Sequence, residues 1–159
     1  MNLKDGFSGE RSIVLPQMIV DMEREDPLVS SLYVTDIGYY PHAEGHRRER
    51  TEPIGQHVLI YCADGAGWYN IDGHAHTVTS NQFFILPSGS PHSYGADDAN
   101  PWTIYWVHFT GTHSDFYAQG AVCPQEVKPG VHSRINYRNN IFEEIFNTLN
   151  AGFSLDSLR

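Results

Sequence analysis

The chain has 159 residues, 40% apolar and 13% aromatic but only 18% charged, with 10 Lys/Arg against 19 Asp/Glu and a formal charge of −9. That is one domain's worth of chain, too apolar to stay disordered, and too acidic for this segment itself to grip nucleic acid or an anionic membrane surface. Two cysteines, Cys62 and Cys123, are too few for a disulfide framework and read as reduced thiols, and 9 histidines offset the acid excess only near pH 6.

From the start, Met1 to Gly6 carries no apolar signal core, and no apolar run approaches the ~18 residues of a membrane helix, so a cytoplasmic protein with no membrane contact is expected. Residues 1–30 form an N-terminal arm. Ile13, Val14, Met18, Ile19 and Met22 within it suit a short helix or an extended segment packed on a core, and Pro16 rules out a long helix. Glu23 and Glu25 read as a solvated helix face.

Residues 31–110 read as β. Leu32 to Tyr40 is rich in strand formers and stops at Pro41. His57 to Cys62 is a near-continuous apolar run, as expected of a strand buried on both faces. Asp64 to Gly67 is a turn. Trp68 to Ile71 and His74 to Val78 flank Asp72-Gly73, a strong hairpin signal. Phe83 to Leu86 is a strand ended by Pro87, and Trp102 to Phe109 is a long last strand. Short strands between Gly, Pro and Asp turns at roughly ten-residue intervals indicate a sandwich, jelly roll or barrel.

Residues 111–159 turn helical. Thr112 to Gly120 suits one short helix. In Ile135 to Leu149, the residues Ile141, Phe142, Ile145, Phe146 and Leu149 recur at spacings of three and four, as one apolar helix face requires, with Glu143 and Glu144 pointing away. Phe153 to Arg159 reads as the opening of another element, which suggests a piece of something longer.

Pro87-Ser88-Gly89-Ser90-Pro91-His92 has the Pro-x-Gly-x-x-His spacing of the second conserved motif of cupin barrels: Pro87 ends a strand, Gly89 allows a tight turn, and His92 begins the return strand. A metal-binding cupin adds two His at i, i+2 and a downstream carboxylate. His57 stands alone at the matching strand. His74 and His76 have the spacing but sit on the hairpin's second arm, and Thr77 to Asn81 offers no carboxylate. No metal or other cofactor is therefore expected. Cys62 lies in an apolar strand, where a thiol is inert, and no nucleophile elbow or phosphate-cradling glycine loop is present.

The basic cluster is Gly45-His46-Arg47-Arg48-Glu49-Arg50. In extended chain Arg48 and Arg50 share one side, and a guanidinium there donates several hydrogen bonds to sugar hydroxyls or a carboxylate. Tyr94 and Trp106 supply flat faces for the C–H surfaces of a polyol, and His92, Tyr39 and Tyr40 are further candidates.

The run Gly65 to Gly73, Gln82 to Asp97 and Pro101 to Phe109 resembles the N-terminal effector-binding and dimerisation domain of AraC/XylS-type transcription regulators, over about residues 31–150. The resemblance implies a mainly β, cupin-like jelly-roll barrel followed by C-terminal α-helices. The barrel would hold a small, sugar-like effector; the arm would close over it; the helices would pair two chains into a homodimer. Arg50 matches an arginine that binds sugar in the arabinose-sensing member, and Tyr94 and Trp106 match its pocket tyrosine and tryptophan. Ile104 stands where that member has a pocket histidine, which argues against arabinose. Dimerisation would fall to Ile141, Phe142, Ile145 and Leu149, and DNA binding to C-terminal helix-turn-helix units beyond Arg159. A ligand-sensing non-enzyme is the expectation. A metal-dependent cupin enzyme using His57, His74, His76 or His92, or a stand-alone carbohydrate-binding module, are the alternatives.

Overall fold

The computed structural model describes residues 3–127. After an irregular arm come β1 (Arg11–Val14) and α1 (Gln17–Glu25). Seven strands then run β2 (Tyr33–Tyr40), β3 (Arg47–Arg50), β4 (His57–Asp64), β5 (Ala66–Ile71), β6 (His74–Thr79), β7 (Gln82–Leu86) and β8 (His92–Ala96). The long β9 (Thr103–Thr110), α2 (Ser114–Ala118) and the short β10 (Gln125–Glu126) complete the fold. A six-stranded sheet in the order β1-β2-β9-β4-β7-β10 packs over a four-stranded sheet in the order β3-β8-β5-β6. All strand pairs are antiparallel. The mainly β, two-sheet barrel is the architecture that the strand and turn pattern anticipates.

The apolar run in β4 now has its reason. Val58, Ile60 and Cys62 point into the space between the sheets, while Leu59, Tyr61 and Ala63 join a second cluster with Ile19, Ile37 and Tyr105 on the outer face. The large sheet thus carries apolar side chains on both faces, and the alternation hydrophobic-in, polar-out is lost from its central strands. The β5–β6 hairpin turns on Asp72 and Gly73, both at positive φ (51° and 76°), as a two-residue primed turn requires.

The arm resolves into both of the alternatives weighed for it. Ser12 to Val14 lies in a strand, and Pro16 caps a nine-residue helix that starts at Gln17. Its burial meets the sequence reading in part: Ile13 and Ile19 pack on the core, whereas Val14, Met18 and Met22 are exposed and Glu23 faces inward. Glu23 is therefore not a solvated carboxylate. It is buried against an apolar groove formed with Val34, Leu59 and Val107, its Oε1 has no hydrogen-bond partner, and burial pushes its pKa up to about 7. The short helix expected over 112–120 is present as α2. The helix over 135–149, with Ile141, Phe142, Ile145 and Leu149, lies outside the described residues. No helix among the described residues is long and apolar enough to cross a membrane.

Candidate functional site

The barrel interior has two unlike halves. On the β4, β5, β6 and β7 side, Cys62, Tyr69, Val78 and Phe84 are fully buried, and Trp102 closes over them. Tyr69 and Phe84 stack at 3.9 Å between ring centroids. Burial pushes the Cys62 thiol up to about 12, and the thiol donates to the Asp64 carbonyl, so the expected inertness has a structural basis. On the β2, β9, β3 and β8 side the strands enclose a hollow of about 230 Å³.

Arg48, Arg50, Tyr94, Trp106 and Tyr40, each singled out from sequence, line this hollow together. Strand alternation places them. Arg48 pairs with Tyr94 and Arg50 with His92 across β3 and β8, so both guanidinium groups leave the same face. Trp106 lies opposite Gly38 across β9 and β2, and a Cβ at residue 38 would overlap the indole. Glycine there lets the ring lie flat on the sheet. The Trp106 Nε1, although buried, has no hydrogen-bond partner among the described residues.

Two sequence candidates sit elsewhere. His92 stands behind Arg50 instead of lining the hollow: its Nδ1 donates to the Ser90 carbonyl (3.1 Å), and its Nε2 accepts from Arg50 Nη1 (3.1 Å). Arg50 Nη1 also donates to the Tyr94 hydroxyl (3.1 Å). Tyr39 is turned to the outer face, 4.7 Å from the Tyr105 ring and beneath the Arg11 guanidinium. Its neighbour Tyr40 faces in, so period two admits only one of the pair.

Other residues of the hollow went unread in the sequence. Asp36 and His108 face each other across β2 and β9, with Oδ1 and Nδ1 3.8 Å apart. Asp36 reaches the inner face because a register shift between Val34 and Asp36 turns the strand, leaving Val34 on the outer face. His108 had a signal, since it is two residues beyond Trp106 on one strand. His46 accepts from Trp102 Nε1 (3.0 Å) and packs against Phe7 and Tyr40. The arm completes the wall: the Leu3 N–H donates to the Gly45 carbonyl and the Leu3 carbonyl accepts from the Arg47 N–H, Phe7 packs 5.0 Å from Tyr40, and Lys4, Asp5 and Glu10 border the opening.

The histidines in the hollow and behind it are held neutral. Burial, reinforced by the positive charges of Arg48 and Arg50, lowers His46 to about 4. His92 falls to about 4 through burial and Arg50. Burial also drives His108 below its ordinary value, against the opposing pull of Asp36.

The metal candidates are not brought together. His57 Nδ1 accepts from the Ser88 N–H (2.9 Å), which leaves Nε2 to donate towards Asp115 Oδ1 (2.9 Å) and Ser114 Oγ (3.2 Å). His76 stacks on Tyr69, and His74 is exposed on the edge strand β6. Among the described residues no group of three or more His, Cys, Asp or Glu is placed to hold a metal ion.

Known proteins resemble this chain in sequence and in fold. The sequence model of a family described as "AraC-like ligand binding domain" matches residues 35–153. The MmsAB operon regulatory protein of Pseudomonas aeruginosa is 36% identical over 111 residues, covering 67% of this chain and 36% of that protein. The raffinose operon transcriptional regulatory protein RafR of Pediococcus pentosaceus is 32% identical over 72 residues, covering 44% of this chain and 26% of that protein. The chain thus spans about a third or less of the length of these curated relatives. Among solved structures, the protein YhaK from Escherichia coli shares the fold with a TM-score of 0.51 at 16% identity, over 77% of this chain and 49% of that one. The cupin domain of Schizosaccharomyces pombe Cnp3 matches with a TM-score of 0.45 at 15% identity, over 68% of each chain.

Proposed function

The chain belongs to the AraC-like ligand binding domain family, and on that premise we propose that it is the effector-sensing part of a transcription regulator and not an enzyme. The effector is a small polyol or sugar-like molecule held in the hollow between β2, β9, β3 and β8. Arg50 orients it through the guanidinium donors that His92 and Tyr94 leave free, and the planes of Tyr94 and Trp106 pack on its C–H faces. Arg48 and Tyr40 add polar contacts. The volume, about 230 Å³, falls below the ~300–1,000 Å³ of drug-sized pockets, which favours a compact ligand. The arm over residues 3–14 forms part of the wall, so a ligand that prefers one arm position shifts the arm's equilibrium. Two chains pair through Ile141, Phe142, Ile145 and Leu149. DNA is bound by a part of the regulator other than this segment, in keeping with the charge of −9. The family matches support the regulatory role, and a cytoplasmic location follows from it.

The single observation that carries the reading is the hollow itself, where guanidinium groups and aromatic faces share one half-open space. A thermal-shift screen against sugars and sugar acids finds the ligand class, because a molecule that binds only the folded state raises the midpoint. Arg50→Ala then weakens the best hit by roughly a hundredfold, since more than one charge-assisted hydrogen bond is lost, while the circular dichroism spectrum stays unchanged. Unchanged affinity in a calorimetric titration removes Arg50 from the site.

A further inference from the structure

We propose that the occupant of the hollow is a small hydroxy acid, its carboxylate gripped by Arg48 and Arg50 and its hydroxyl met by the facing wall of Asp36 and His108. This rests on the sensing reading and narrows it from polyols in general to those bearing a carboxylate.

The basis is a charge imbalance between two walls. Arg48 and Arg50 are two residues apart on β3 and share the hollow. Arg50 hydrogen-bonds only neutral partners, His92 and Tyr94, with its ring contact also to Tyr94. Arg48 makes no hydrogen bond or ion pair through its side chain among the described residues. The Arg24–Asp21 ion pair and the carboxylate contacts of His57 with Asp115 and of His108 with Asp36 leave β3 untouched. The acids bordering the hollow, Asp5, Glu10 and Asp36, form no ion pair with either guanidinium. Both Glu10 oxygens accept from the Gly6 N–H (3.0 and 3.1 Å), and Asp36 accepts from the Thr35 hydroxyl (2.6 Å).

Two half-buried guanidinium groups without a counter-ion are costly, and the cost disappears when a ligand brings the anion. The neighbouring histidines, kept neutral, do not add to the positive charge or compete for it. A carboxylate fits a pair of planar donor forks better than a hydroxyl does, because each oxygen accepts a charge-assisted bond. The opposite wall has a different chemistry. The Asp36 carboxylate accepts a hydroxyl proton but repels a second carboxylate, so the ligand's acid group has one orientation.

Matched pairs that differ only in a carboxylate against a hydroxymethyl group test this: glycolate with ethylene glycol, D-glycerate with glycerol, and D-gluconate with sorbitol. Each is titrated at fixed ionic strength into the chain and into Arg48→Gln and Arg48→Lys, read by tryptophan fluorescence and by the thermal midpoint. At least one acid binds about tenfold or more tightly than its alcohol. Arg48→Gln abolishes that preference, and Arg48→Lys retains part of it. Alcohols that bind as tightly as their acids in all three pairs overturn the proposal, as does an acid preference untouched in Arg48→Gln. So does silence from all three acids. If neutral sugars still respond in the wider screen, sensing stands and only the carboxylate falls; silence in both panels removes the sensing reading as well.

Discussion

The two halves of the barrel interior are built from the same two sheets, yet they solve opposite problems. In the half made by β4 to β7, aromatic and aliphatic side chains fill the space between the sheets, and Trp102 seals it. In the half made by β2, β9, β3 and β8, large polar side chains leave a hollow unfilled. Each half contains a tryptophan lying on a glycine: Trp102 on Gly67 and Trp106 on Gly38. The device is shared and the use differs. Against Gly67 it achieves dense packing, and against Gly38 it keeps an aromatic plane out of the binding space. One half is packed tight and the other left open for recognition, so packing and recognition are separable by mutation.

Acid should break the hollow half first, with the largest effect. His46, His92 and His108 all border that half or support it, and their folded pKa values are depressed, to about 4 for His46 and His92. Between pH 6.5 and 4 the unfolded chain binds protons that the folded chain refuses, so stability falls as pH falls through that window. Each histidine accounts for up to ~3 kcal/mol, and their coupling through Arg48 and Arg50 keeps the total on the order of 5 kcal/mol. Glu23, on the outer face, acts in the opposite sense. Its raised pKa of about 7 makes stability fall as pH rises from ~4.5 to 7, and Glu23→Gln removes that slope. Urea midpoints against pH, measured for the chain and for Glu23→Gln, separate the two. A midpoint flat from pH 6.5 to 4 in Glu23→Gln is incompatible with three buried neutral histidines.

Next in size is Trp102→Ala. The indole is fully buried, and its Nε1 donates to His46 across to the hollow half. Removing it leaves a large cavity and strips an acceptor of its donor, a loss of about 3–5 kcal/mol. Denaturant unfolding reads this directly. A loss under ~1 kcal/mol would mean that the packed half collapses around the cavity and is less rigid than the structure indicates.

These halves were not equally legible in the sequence. The packed half was: apolar runs marked β4 and β7, and Asp72-Gly73 marked the hairpin, because burial and turn geometry are local signals. The hollow half was read in part. Arg48 and Arg50 follow from strand alternation, and Tyr94 and Trp106 from their flat faces beside those donors, with a match in the family resemblance. Asp36 was hidden by the register shift beside it, and Lys4, Asp5 and Glu10 by their place in an arm that reaches the hollow only through long-range pairing. Tyr39 was misread because adjacent tyrosines give no clue to which face each takes. Glu23 was misread because a carboxylate on a short amphipathic helix is ordinarily solvated, and only the tertiary packing of α1 on the large sheet buries it. Strands β1 and β10 are short, and their partners lie far along the chain.

The smallest stability effect, and the sharpest division between the halves, comes from adding one carbon under each tryptophan. A Cβ at Gly67 would strike the Trp102 ring, which is buried with Phe84 and Tyr94 around it. The ring has no free space to enter, so Gly67→Ala costs about 2–3 kcal/mol through overpacking. A Cβ at Gly38 would strike the Trp106 ring just as directly. There the indole has an escape, because the hollow lies on its other side. Gly38→Ala therefore costs only about 1 kcal/mol, at the low end for overpacking, but the displaced ring occupies volume that the effector needs. Affinity for the best ligand of the thermal-shift screen falls at least tenfold, while Gly67→Ala leaves it within about threefold in whatever fraction remains folded. Equal stability losses in the two variants would show that the hollow does not accommodate a moving indole. Equal affinities would place the ligand away from Trp106 and return the site to Arg48 and Arg50 alone.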